Sequence, residues 1–160
     1  MGARTRGDGV EIGIRRRGAA AVEVVRAVPV RAVASGGLYE LRGNSFHVPL
    51  AVRDLVRARP DGTGLRLTGL VCPGPLTLAW ASLVPAHPPQ TDVLMDGWLR
   101  RGATWSELRG RRVAMVWQPG VAARDVRRLL ADDLASGHLQ DLEVHEPDDR
   151  TDEALADCAG

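Results

Sequence analysis

Turn signals crowd the stretch from Ser35 to Pro75. Ser35-Gly36-Gly37, Gly43-Asn44-Ser45, Pro60-Asp61-Gly62-Thr63-Gly64 and Pro73-Gly74-Pro75 cut it into short segments. Punctuation this regular favours strands. Leu38 to Arg42 puts Tyr39 and Leu41 on one face, and Asp54 to Arg59 forms another strand before a hairpin signal. Leu65 to Cys72 alternates at Leu65, Leu67, Gly69 and Val71, with Arg66 and Thr68 outward. Leu76 to Val84 returns with Leu76, Leu78 and Trp80 on one side. Upstream, Val22 to Val33 is dominated by Val and Ala, and Pro29 marks it as bent or near an edge. Strands at this spacing predict a small curved antiparallel sheet or partial barrel.

The pattern changes after Pro85-Ala86-His87-Pro88-Pro89. Thr91 or Asp92 caps a helix with the apolar stripe Leu94, Met95, Trp98 and Leu99, ended by Gly102. Arg112 to Trp117 is apolar on both faces and reads as a central strand. A second helix carries Val126, Leu129, Leu130 and Leu134 and stops at Gly137. Leu142 and Val144 face inward on a last strand, with Glu143 and His145 outward. The fold class is α+β: the curved sheet or partial barrel, followed by an α-β-α-β half packed on it.

The expected organisation is a disordered basic tail at 1–18, a β-rich half at 19–84, a Pro-rich linker at 85–91, an α/β half at 92–146 and an acidic flexible tail at 147–160. The two halves form one compact unit, and both tails are expected to be dispensable. Trp98 and Trp117 fall at core positions.

Composition excludes several function classes. The net charge is +1, so no global field draws in nucleic acid or an anionic membrane. All 21 basic residues are Arg, which with abundant Ala, Val, Gly and Pro suggests a GC-rich bacterial gene. Cys72 and Cys158 fit neither a disulfide framework nor a zinc pattern, and Cys72 reads as a small buried hydrophobe. Arg15-Arg16-Arg17 precedes an apolar run broken by Glu23 and Arg26, so it is no export signal. No stretch approaches the roughly 20 apolar residues of a membrane span. The expected setting is cytoplasmic, with no membrane partner.

Between Leu38 and Trp117 the positions Leu38, Leu41, Asn44, Phe46, Asp54, Val56, Asp61 and Gly62 precede the strand pair Leu65 to Val71 and Leu76 to Trp80. A helix at Leu94 to Arg101 and a strand at Val113 to Trp117, followed by Pro119, come after them. This order resembles an uncharacterised bacterial domain family of unknown function. That family has an Asn-x-Pro-Phe turn, a Gly-Asp-x-Val strand and an acidic Gly hairpin. Ser45 stands where the family has Pro, and Arg53 where it has Gly. The resemblance implies a fold and carries no reaction.

Catalytic chemistry has few footholds. No two of His47, His87, His138 and His145 share a ligand spacing, and the last three read as surface residues. Asp132-Asp133 reads as a solvated pair beside Arg128, and Asp61-Gly62-Thr63-Gly64 lacks the ligands of a calcium loop and the Lys of a P-loop. The segment to suspect runs from Asn44 to Asp54. Asn44, Phe46, His47, Arg53 and Asp54 are its candidate binding residues, in a connection stiffened by Pro49. The competing reading is that Asn44 and Asp54 only satisfy turn backbone.

No catalytic residue, metal site or cofactor is assigned. The favoured function is a non-catalytic binding or accessory protein recognising a protein or small molecule. One alternative is a small enzyme using the Asn44–Asp54 loop. The other is a weak nucleic-acid binder through Arg57, Arg59 and Arg66, with Tyr39 and Phe46 for stacking; sparse aromatics argue against it. Nothing in the sequence sets an oligomeric state.

Overall fold

The computed structural model describes residues 9–84 and 88–156. Its first unit is a closed barrel of β1 (Val10–Arg15), β2 (Val22–Val33), β3 (Gly36–Leu41), β4 (Leu55–Asp61) and β5 (Gly64–Cys72). Successive strands pair antiparallel, and β1 meets β5 in parallel at Ile12↔Leu65 and Gly13↔Arg66. Closure removes the edges an open sheet would leave exposed. Alternation fills the lumen with Ile12, Ile14, Val25, Ala27, Tyr39 and Leu41, among others.

The second unit is a sheet in the order β7 (Ala103–Arg109), β8 (Arg112–Trp117), β6 (Thr77–Leu83), β9 (Leu139–His145). One face carries α1 (Pro88–Arg100), α2 (Ala123–Leu129) and α3 (Ala131–Ala135), over a core containing Ala79, Trp98, Met115 and Trp117. The other face meets the barrel. There Leu78, Trp80, Ala114 and Val116 pack on Phe46, Ala51 and Val52 from the β3–β4 connection. A short 3-10 turn (Pro147–Asp149) and α4 (Asp152–Ala156) then return the chain to the barrel, where Leu155 joins the barrel core. Asp152 accepts a hydrogen bond from Leu70 N at 2.9 Å. A Cβ at Gly69 would lie 2.7 Å from the same carboxylate, so a bare position lets the two elements meet.

Several expectations are corrected. Residues 10–15 are not part of an unstructured tail: Val10, Ile12 and Ile14 alternate with Glu11, Gly13 and Arg15, and the barrel needs this strand to close. The 147–156 segment is likewise anchored, because Leu155 and Arg150 are buried. The barrel is closed rather than partial, and its seam is parallel. The boundary at Val84 is too late, since β6 is central in the second sheet and buried on both faces. β7, absent from the α-β-α-β reading, forms that sheet's edge. The first helix begins at Pro88, where a helix tolerates proline. The second breaks at Leu130 into α2 and α3.

β5 departs from strict alternation because two bulges, opposite Leu55/Val56 and Arg57/Ala58, re-phase it. Leu70 is therefore buried while Val71 is exposed. Cys72 is exposed too, contrary to its reading as a buried hydrophobe. Pro29 does mark an irregularity, a register shift between Pro29 and Arg31. His87, Cys158 and residues 1–8 and 157–160 lie outside the described residues.

Two outcomes follow from this architecture. A chain beginning at Ala19 lacks β1 and leaves β2 and β5 with open edges, so it should lose its cooperative transition in a urea titration followed by circular dichroism. Trp98 is buried at 0% exposure, and its indole N–H donates to Asp133 at 2.9 Å. Trp98→Ala should cost about 3–5 kcal/mol in the same titration.

Candidate functional site

The β3–β4 connection lies between barrel and sheet, and its polar side chains bond both its own backbone and groups on distant segments. Asn44 Oδ1 accepts from Val52 N at 2.9 Å, and Asn44 Nδ2 donates to Glu107 at 3.2 Å. Ser45 Oγ accepts from His47 N and Val48 N at 3.1 and 3.0 Å and donates to Glu23 at 2.6 Å. Glu23 points inward from β2 and also accepts from Phe46 N at 2.8 Å and Arg109 Nη1 at 3.0 Å. Trp80 Nε1 donates to Ser45 O at 2.9 Å.

Asp54 terminates this connection at full burial. Its Oδ2 accepts from Ala51 N at 2.8 Å, and its Oδ1 accepts from Gly74 N at 2.6 Å and Arg150 Nη2 at 2.9 Å. Arg150 is equally buried and donates to the carbonyls of Leu76 at 2.6 Å and Gly74 at 3.0 Å. Burial pushes the Asp54 carboxyl above the usual aspartate range, against the pull of Arg150 and the two N–H donors.

The suspected residues therefore separate. Asn44, Phe46 and Asp54 are buried, while His47 and Arg53 are exposed. Asp54 is wholly buried against Arg150 while His47 stands exposed. Arg53 sits at φ 73°, and its backbone leaves no room for a Cβ at Gly74. The stacking platform is overturned: Tyr39 is inside the barrel, and Phe46 is buried with Arg109 4.7 Å above its ring. Arg57 and Arg59 are exposed on β4, and Arg66 pairs with Asp61 at 3.8 Å. Asp133 is no solvated carboxylate, since it is buried between Trp98 and Arg101. His145 is half-buried, not on an open face, with its ring edge-on to Trp80 at 4.9 Å. Burial pushes its pKa down, outweighing Glu143 and Asp149. Among the described residues no group of three or more His, Cys, Asp or Glu side chains could hold a metal ion.

A groove of about 400 Å³ opens beside the joint, between the barrel and β7. Trp105, Glu107 and Arg109 form its β7 wall; Val24, Arg26 and Arg42 stand opposite. The sequence does not mark this wall, because β7 lacks a regular apolar alternation. The register explains the β7 wall. Trp105 pairs with Val116 and Glu107 with Ala114, both on the barrel-facing side of β8. Trp105 lies beyond the cover of the β3–β4 connection and stays 37% exposed.

No protein-family model matches the chain, and no curated protein sequence matches it. A solved structure described as "Novel crystal structure of a hypothetical protein from Neisseria gonorrhoeae" is similar with a TM-score of 0.59 at 13% identity. The match covers 89% of this chain and 96% of that one. The likeness is one of fold.

Arg150→Met should cost about 3–5 kcal/mol in urea unfolding, because it leaves Asp54 buried without its counter-charge. His47→Ala, at an exposed loop position, should change stability by less than about 0.5 kcal/mol. His145 adds a pH dependence. Above its ordinary pKa of about 6.5 it is neutral in both states and its contribution is complete. As pH falls below that value and through the lowered folded pKa, the unfolded chain takes the proton first and stability is lost. His145→Phe keeps a ring against Trp80, so thermal melts between neutral pH and about pH 5 should show a flatter decline than wild type.

Proposed function

We propose that this is a non-catalytic binding or accessory protein that takes an extended segment of a partner protein along β7. The supporting observation is the contrast between the two edges of one sheet. β9 presents Gln140, Asp141 and Glu143 as exposed polar residues, with Asp141 at φ 55° interrupting the regular backbone. Charge and irregularity of this kind protect an edge from pairing. β7 also holds Thr104, Glu107 and Arg109 and a register shift between Ala103 and Trp105, but it differs in its exposed apolar side chains. Trp105 is exposed on its barrel side, Leu108 on its helix side, and Leu99 and Val93 of α1 add to the exposed apolar surface. An edge strand flanked by apolar side chains on both faces suits strand addition, with backbone giving affinity and pockets giving choice. The groove sets Arg26 beside Glu11 and Glu107, with Arg42 and Arg109 paired to Glu40 and Glu23, so it offers both signs of charge to the polar side chains of a bound segment. A cytoplasmic setting fits the exposed free thiol of Cys72.

The reading can be tested without a known partner. Panning a random linear peptide library on the full chain should enrich sequences of alternating apolar and polar residues. Trp105→Glu and Leu108→Lys should weaken those peptides by at least about tenfold, or 1.4 kcal/mol, while melting stays close to wild type. Absence of enrichment, or peptides indifferent to both substitutions, would refute strand addition at β7.

A further inference from the structure

The outer wall of the barrel, away from β7, carries an arrangement of a different kind. Arg31 on β2 pairs with Leu38 on β3, and Leu38 pairs with Arg57 on β4. Two arginines thus flank one leucine in a single row, roughly 10 Å apart across three strands. One step along, Val33 pairs with Gly36, and Arg59 stands beyond it on β4. A Cβ at Gly36 would lie 2.6 Å from the Ala58 carbonyl and 3.1 Å from Arg59 Cα. Gly36 also has φ 131°, so this position stays bare between Val33 and Arg59. The two rows enclose a shallow cavity of about 370 Å³ with no Asp or Glu in its lining.

The charges here are not neutralised. Among the described residues no carboxylate lies within ion-pair distance of Arg31, Arg57 or Arg59. Three guanidinium forks facing one small cavity match the bidentate geometry of phosphate oxygens. No aromatic ring lines the cavity, which argues against a single-stranded nucleic acid that needs stacking. The volume is that of a small-molecule site. The floor of Leu38, with Val33 beside it, suits a ligand with an organic body as well as its charges.

We propose that this cavity binds a soluble organic phosphate of nucleotide size carrying at least two negative charges. Isothermal titration of the full chain should show saturable binding of ADP and weaker binding of inorganic pyrophosphate, which lacks the organic body. Arg57→Gln and Arg59→Gln should each weaken ADP by at least about tenfold, and Arg59→Lys should fall between. Arg66→Gln, already paired with Asp61, and Arg124→Gln on α2 should stay within about twofold of wild type. Circular dichroism of each variant checks that the barrel is intact. Three results would overturn the proposal: no saturable heat with ADP, an ADP affinity unchanged in Arg57→Gln and Arg59→Gln, or binding to phosphatidylglycerol vesicles without binding to ADP. The last would assign the arginines to a lipid surface.

Discussion

A carboxylate and a guanidinium, both wholly withdrawn from water, hold the barrel to the sheet. Asp54 closes the connection that lies between the two units, and Arg150 arrives from beyond the last strand. Gly74, where the chain crosses from β5 to β6, donates to one and accepts from the other. Desolvating such a pair costs several kcal/mol per ion, and the return comes only with good geometry and satisfied hydrogen bonds. Asp54 meets that condition through the N–H groups of Ala51 and Gly74. Arg150 meets it through the carbonyls of Leu76, Gly74 and His145, though its Nε is buried without a partner. What the pair supplies above all is a single allowed arrangement of three segments.

Glu23 repeats this logic on the other side of the connection. It is the one carboxylate in the inward phase of β2, among Val25 and Ala27, and its oxygens fasten Ser45, Phe46 and Arg109. Between Glu23 and Asp54 the connection is held at both ends, so its apolar residues can serve two cores. Val48 and Leu50 fill the barrel, while Phe46, Ala51 and Val52 cover the sheet. A loop with no regular secondary structure thereby becomes the layer between two sheets.

Much of the strand content was legible because period-two patterning and turn chemistry agree over most of the first half. The Pro60–Gly64 hairpin, the central strand Arg112–Trp117 and the core positions of Trp98 and Trp117 all rest on local rules. What escaped depends on distance. β1 alternates plainly, but its flanks of Gly and Arg hide it until a partner strand is known. The bulges that expose Val71 and Cys72 arise from pairing with β4 and leave no mark in β5 itself. The loop from Asn44 to Asp54 stands out in the sequence for its polar residues, yet the partners that hold them, Glu23, Glu107 and Arg150, are distant in sequence. His145 and Asp133 were misplaced for the same reason: their neighbours Trp80 and Trp98 come from other elements.

The 96 positions that separate Asp54 from Arg150 also impose an order in time. Domains emerge from the ribosome N-terminal end first, and contacts of high sequence separation form last. All five barrel strands can therefore be present, with Asp54 facing a joint that has no counter-charge, until every strand of the sheet has been synthesised. Arg150 brings the counter-charge, and Asp152 and Leu155, a few residues further on, fasten the same segment to the barrel.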